Sequence, residues 1–197
     1  MILFDKLKDM EIILASNSPR RRELMTDAGF SFNVAEKYEI DEVYPSDMVA
    51  EDVAEYLSRL KSEGYPHPLT DKQILITADT VVIVNEEILG KPINRDDAVR
   101  MLRLLSGCSH KVVTGVSIRT AERLHSFSSV SSVEFRRMST EEIDYYIDNY
   151  APYDKAGAYG IQEWIGYVGI ERIEGSFYNV MGLPVQKLYC ELKDFIQ

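Results

Sequence analysis

Three consecutive arginines stand where a helix should least favour them, in the segment Ser16-Asn17-Ser18-Pro19-Arg20-Arg21-Arg22-Glu23-Leu24. Ser18 suits a helix N-cap and Pro19 the first helical position, so Arg20 and Arg21 fall in the first turn, at the positive end of the helix dipole. Each cation there costs a few tenths of a kcal/mol, up to roughly 1. An anion held between the free backbone N–H groups and the guanidinium forks reverses that sign, and a phosphate chain fits both. The competing reading is a solvated basic patch, which is how Arg22 alone is best read.

Asp79 is the second residue with chemical potential. It interrupts Ile74-Leu75-Ile76-Thr77-Ala78-Asp79-Thr80-Val81-Val82-Ile83-Val84, a run apolar at both parities and hence a strand covered on both faces. A carboxylate there costs several kcal/mol, about 3–5, unless it is paired, hydrogen-bonded or bound to a cation. It is therefore either a local strand break or a functional acid able to orient and deprotonate water, or to hold a metal. Asp41-Glu42, near Glu36 and Glu39, is solvated surface when taken alone. Brought to Asp79, these carboxylates would suit Mg²⁺ or Mn²⁺ shared with phosphates. His67, His110 and His125 are too scattered for zinc. Lys91, in Gly90-Lys91-Pro92, and Lys61 are surface lysines unless the fold delivers them to the same acid. Gln162 closes the small-residue segment Asp154-Lys155-Ala156-Gly157-Ala158-Tyr159-Gly160-Ile161-Gln162. Its amide offers one donor and one acceptor, a match to the imide edge of uracil or thymine, though other bases match as well. No GxxxxGK[ST] is present, so a Walker-type phosphate loop is excluded.

The elements that must position these groups alternate along the chain. A strand at Ile12–Leu14 precedes the arginine helix, which runs to Gly29. An extended acidic stretch covers Phe32–Tyr44, and helical spacing covers Asp47–Glu63. The Ile74–Val84 strand turns at Asn85-Glu86 into a short return strand at Ile88-Leu89. Asn94 caps a helix stopped by Gly107, and strands follow at Lys111–Arg119 and Leu124–Arg137. Ser139-Thr140-Glu141-Glu142 is a capping box opening a helix to about Tyr150. Two short strands are expected around Val168–Ile173 and Phe177–Val180, and Pro184 opens a last helix. The expected fold class is α/β, a mixed twisted sheet with flanking helices.

Composition narrows the function. The 197 residues carry a formal net charge of −10, which opposes a nucleic-acid polymer as partner but not a small anion gripped locally. No membrane span is visible, and Met1-Ile2-Leu3-Phe4 is too short and too soon charged for a signal peptide. Cys108 and Cys190 lack any paired framework and read as reduced thiols, so the cytoplasm is the expected location. No linker or repeat divides the chain, and residues 1–197 read as one domain with a short extension at 1–10.

Five ordered motifs resemble those of the Maf family of nucleoside triphosphate pyrophosphatases. They are Ser16-x-Ser18-Pro19-Arg20-Arg21-x-Glu23-Leu24, Ala78-Asp79-Thr80-Val81-Val82, Gly90-Lys91-Pro92, Leu105-Ser106-Gly107-x-Ser109-His110 and Asp154 to Gln162. The resemblance implies an elongated, two-lobed architecture similar to inosine triphosphate pyrophosphatases, with a nucleotide in a central cleft. It implies hydrolysis of a nucleoside triphosphate to the monophosphate and pyrophosphate with a divalent cation, and allows a homodimer. Asp79 matches the proton acceptor, and Arg20, Thr80 and Gln162 match positions tied to substrate choice. Ser16, Arg21, Asp41, Lys61 and Lys91 match polar positions lining the cleft. Ser18 is read with them as a phosphate-side residue, and Asp41, Glu42 and Asp79 are the carboxylates read above as metal ligands. The Ala-Gly-Ala-Tyr-Gly-Ile-Gln form of the last motif is similar to the dTTP/UTP branch. The alternatives are the 7-methyl-GTP branch and a non-catalytic nucleotide-binding regulator of septum formation. The chain departs from the family pattern at Ser62, where alanine is usual, and at Glu163, where glycine is common.

Overall fold

The computed structural model describes residues 2–197. One mixed sheet of seven strands is built from β1 (Glu11–Leu14), β2 (Asn33–Val34), β3 (Gln73–Val84), β4 (Glu87–Leu89), β5 (Ser109–Arg119), β6 (Leu124–Phe135) and β7 (Ile170–Glu174). Its order is β2-β1-β3-β5-β6-β7, with β4 also paired to β3. β1 runs parallel to both β2 and β3, whereas β4 on β3 and β7 on β6 are antiparallel. Helices α1 (Leu3–Lys6), α2 (Pro19–Asp27), α3 (Val53–Glu63), α4 (Arg95–Leu105), α5 (Thr140–Tyr150), α6 (Trp164–Gly169), α7 (Phe177–Met181) and α8 (Val185–Phe195) flank it. This is the mixed α/β class that the alternation of apolar periods implies.

The chain divides into two compact units, residues 1–79, 114–129 and 182–197 in one and 80–113 and 130–181 in the other. In the first, residues 2–10 fold back rather than trail away. Leu3 is fully buried, and Phe4 meets Phe30 and Tyr189 edge-on at 5.3 and 5.9 Å. In the second, α4 and α5 supply the apolar stripes Ala98, Met101, Leu102, Leu105 and Ile143, Tyr146, Ile147 to one core with Val82, Val84, Val112, Val133 and Phe135. The Ser139 capping box is formed as the sequence dictates, each partner satisfying the other's backbone N–H.

Three expectations need correction. The segment around Phe177–Val180 is helix α7, not a strand. Ser176 acts as its cap, Oγ accepting from Asn179 N at 3.3 Å, and the hydroxyl of Ser131 brackets the Ser176 backbone with two 3.0 Å bonds. Aromatic and β-branched content lost to a Ser-x-x-Asn cap. Residues 168 and 169 likewise belong to α6, and the strand begins only at Ile170. The helix expected from Asp47 begins at Val53, preceded by a 3₁₀ turn over Ala50–Asp52.

Candidate active site

The burial of β3 lapses at one place. Ile74 to Ala78 and Val81 to Val84 are buried, while Asp79 and Thr80 are partly open. Neighbouring strand residues point to opposite faces, so each face of the strand is partly open there. The strand is not broken, which removes one of the two readings of Asp79. A structural partner exists, however, and sequence proximity did not reveal it: Lys61 Nζ donates to Asp79 Oδ1 at 2.5 Å.

Helix α3 delivers that lysine through small residues. Thr77 Oγ1 donates to Ser58 O at 2.6 Å, and Ser58 Oγ meets Ser117 Oγ at 2.8 Å. Gly115 lies so close to the helix that a Cβ would sit 2.2 Å from Ala54 O. Thr77 and Asp79 share one face of β3, and Lys61 lies one turn beyond Ser58, so seating Ser58 on Thr77 seats Lys61 on Asp79. Lys61 also pairs with Glu42 Oε2 at 3.0 Å. The side chains of Asp79 and Lys61 are only 14% and 16% exposed, whereas Glu42 is half exposed. Asp41 is exposed beside it, its carbonyl oxygen accepting from Val43 N.

The arginine helix forms as its caps require. Ser18 Oγ accepts from Arg21 N at 3.5 Å, and Ser16 Oγ accepts from Ser18 N at 3.3 Å. Arg21 and Arg22 make contacts that their place in the sequence does not imply. Arg21 donates Nε to Gly182 O at 2.8 Å and Nη1 to Ala78 O at 2.7 Å, so part of its fork is spent fixing the strand residue that precedes Asp79. Burial lowers the Arg21 pKa, Asp79 nearby pulls it back up, and Arg20 lowers it. Arg22 is not merely solvated: Nε and Nη2 fold onto Ser16 O at 3.4 and 3.3 Å. Arg20 remains half-buried in the first turn, one position before Arg21.

Gln162, Lys91 and Thr80 belong to the second unit. Gly157 N donates to Gly90 O at 3.0 Å, joining the glycine-rich segment to the loop that carries exposed Lys91. Gly157 has φ of 68° and lies against Val82, where a Cβ would sit 3.0 Å from its methyl carbon, so this position requires glycine. Gln162 ends the segment with its Oε1 buried and without a hydrogen-bond partner. A buried amide oxygen left empty is an acceptor awaiting a donor. Behind it, Tyr146, Lys155 and Glu163 form a polar network that sequence reasoning missed. Its members are too far apart in the chain for any local signal.

A divalent cation is the group the family resemblance implies. Lys61 shows that Asp79 and Glu42 converge on one cationic point. Two hard oxygen donors from protein, with phosphates and water completing the shell, match what Mg²⁺ takes. Among the described residues, no three His, Cys, Asp or Glu side chains converge to hold an ion by themselves. The donor set fits an ion brought in with substrate phosphates, not a resident structural metal.

Residues 11–195 match the family model described as Maf-like protein. The "dTTP/UTP pyrophosphatase" of Bacteroides thetaiotaomicron is 53% identical over 191 residues, covering 97% of this chain and 99% of that protein. The protein of the same name from Porphyromonas gingivalis (strain ATCC 33277) is 54% identical, covering 98% of each chain. That of Flavobacterium johnsoniae is 43% identical, covering 95% and 96%. A solved nucleoside-triphosphatase / dITP/XTP pyrophosphatase from Mycobacterium abscessus aligns over 92% of this chain and 94% of its own at 15% identity, with a TM-score of 0.44. The chain belongs to the Maf family.

Proposed function

We propose that this Maf-family chain is a hydrolase that converts dTTP and UTP to their monophosphates and pyrophosphate. The observation that carries the reading is Asp79, a partly open carboxylate in an otherwise buried run of strand, held in place by Lys61 and backed by Arg21 on the preceding carbonyl. The names of relatives at about half identity over nearly the whole chain support the substrate class.

In this reading Asp79 accepts the proton of the water that attacks the α-phosphorus. The bond between that phosphorus and the α–β bridging oxygen breaks, and pyrophosphate leaves with its electron pair. Lys61 orients the carboxylate. Arg20 and the positive end of the α2 dipole hold the phosphate chain, with Ser16, Ser18 and Arg21 building that helix end and Lys91 adding charge. Gln162 accepts the imide N–H of the base at its unpartnered Oε1, and Thr80 contributes to substrate choice. Asp79 and Glu42, with Asp41 alongside, would hold a Mg²⁺ or Mn²⁺ ion, which supplies charge neutralisation on the phosphates. Positioning and electrostatics carry the rate, since no covalent intermediate is needed. Residues 1–197 act as one domain. The free thiols of Cys108 and Cys190 suit a reducing compartment, in keeping with a cytoplasmic enzyme. Among the described residues, no helix is long and apolar enough to cross a membrane.

The test is a panel of dTTP, UTP, CTP, GTP and 7-methyl-GTP with Mg²⁺ or Mn²⁺, assayed separately for pyrophosphate and orthophosphate. Pyrophosphate from dTTP and UTP is the expected result. Preference for 7-methyl-GTP, orthophosphate release, or tight binding without turnover would each overturn it.

A further inference from the structure

Glu163 occupies the position immediately after Gln162 and caps α6, yet its side chain makes no cap bond. It turns inward instead. Oε2 accepts from the hydroxyl of fully buried Tyr146, and Oε1 pairs with Lys155 Nζ at 3.0 Å. Lys155 is itself only 9% exposed and also pairs with Asp154 at 2.7 Å. The Tyr146 hydroxyl accepts from Gly160 N at 3.0 Å, so a single relay runs from the Gly160 N–H through Tyr146 to Glu163 and on to Lys155. Burial, followed by the neighbouring Glu163, pushes the Tyr146 hydroxyl pKa upward, which keeps it a donor.

This relay closes around the peptide that carries Gln162. Glu163 N donates to Gly160 O at 3.0 Å, and Gly166 N to Glu163 O at 2.9 Å. Gly160 admits the carboxylate because it has no side chain: a Cβ there would lie 2.9 Å from Glu163 Cδ. Gly166 presses on the other side, where a Cβ would fall 1.7 Å from Ile161 O. Residues 160–163 are thus fixed on both flanks, and the amide oxygen of Gln162 stays buried and unpartnered between them. Such an acceptor persists only if its surroundings deny it the freedom to turn and find a local donor.

We propose that Glu163 is the positioning residue for base selection: its bonds to Tyr146 and Lys155 lock the Gln162 peptide so that Oε1 is presented, preorganised, to the imide N–H of a uracil or thymine ring. This rests on the assignment of Gln162 as the base-reading residue. Cytosine offers an acceptor at N3 where uracil offers that N–H, and an amino group at C4 where uracil offers a carbonyl, so the locked amide discriminates between the two triphosphates.

The experiment compares kcat/KM for UTP and CTP in wild type, E163A, E163Q, Y146F and Q162A, and in the Q162A/E163A double variant. E163A is expected to lower the UTP-to-CTP ratio about tenfold, the cost of one misplaced hydrogen bond. The loss should appear in KM for UTP while kcat changes by less than about twofold. Y146F should move the ratio in the same direction, and E163Q, which keeps the shape and one acceptor, should recover most of it. In the Q162A background, E163A should change the ratio no further. An E163A enzyme with the wild-type ratio, or one whose loss is undiminished when Gln162 is already absent, overturns the proposal. A Q162A enzyme that still discriminates UTP from CTP as wild type does overturns the base-reading assignment itself, and the two failures are distinct.

Discussion

Asp79→Asn separates what Asp79 does for the reaction from what it does for the fold. A positioned general base contributes typically about 10²–10⁴-fold, so kcat with UTP is expected to fall roughly a thousandfold, about 4 kcal/mol of barrier. Nucleotide affinity measured without a divalent cation should hold or tighten, because Arg20 and the α2 N-terminus remain and a negative charge opposing the triphosphate is removed. The same substitution strands Lys61, whose remaining partner Glu42 is half exposed. Breaking a fully buried pair costs about 3–5 kcal/mol; side-chain exposures of 14% and 16% and the surviving 3.0 Å contact reduce this to about 1–2 kcal/mol. For a chain of this size that is a fall in Tm of about 3–6 °C. K61M/D79N should regain most of the lost stability, since no unpaired ammonium is left, and regain none of the turnover. The measurements are pyrophosphate release at saturating UTP and Mg²⁺, titration calorimetry with a non-hydrolysable UTP analogue, and thermal unfolding. A D79N enzyme within tenfold of the wild-type kcat would refute the proton-acceptor role. A double variant that regains activity together with stability would reduce Asp79 to a partner for Lys61.

Arg21→Met removes two short charge-assisted bonds to the carbonyls of Ala78 and Gly182. It should cost about 3 kcal/mol, or roughly 6–12 °C in Tm, and a melting point within 2 °C of wild type would contradict the structural half of its role. His110 is buried, its Nε2 2.7 Å from the Tyr159 hydroxyl, and burial lowers its pKa from 6.5 to about 4. The unfolded chain therefore binds the extra proton first. Stability present above pH 6.5 drains away as pH falls towards 4, by about 3 kcal/mol in total. His110→Phe should flatten that dependence, and urea titrations at pH 7 and pH 4.5 that separate by as much as in wild type would contradict it. Gly166→Ala places a carbon 1.7 Å from Ile161 O, so the α6 start must shift. The UTP-to-CTP ratio should drop along with Tm, and retention of both would show that this close approach does not hold Gln162.

Much of the fold was legible because its signals are local. The capping box at Ser139, the Asn94 cap of α4 and the Ser18-Pro19 start of α2 each satisfy backbone groups with side chains a few residues away, and each appears in the structure as spelled. Phe177–Val180 reads as a strand in sequence because propensity outweighs a cap whose second half comes from β6. Ser131 holds Ser176 across 45 residues, and Asn179 completes the pocket by donating to Val112 O and Ser131 Oγ. No window of sequence contains that arrangement.

The candidate site divides along the same line. The type and place of Asp79 were readable from a charge in an apolar run, since desolvation makes such a residue conspicuous wherever it falls. Its partner was not readable, because Lys61 reaches it only after Gly115 and Ser58 let α3 settle on the sheet. The arginines show the converse. Their crowding at a helix start implied a shared task for Arg20 and Arg21 and none for Arg22, yet the fold gives all three different contacts: Arg22 to the Ser16 carbonyl, Arg21 largely to Ala78 and Gly182, and Arg20 the half-buried place in the first turn. A guanidinium has five donors, and a carbonyl within reach is as good a partner as a phosphate until a phosphate arrives. Charge pattern therefore points to an anion site without saying which cation would touch the anion. Arg21 shows why that matters: by tying down Ala78 O it sets the backbone from which Asp79 projects, so one arginine of the proposed phosphate grip also aims the acid.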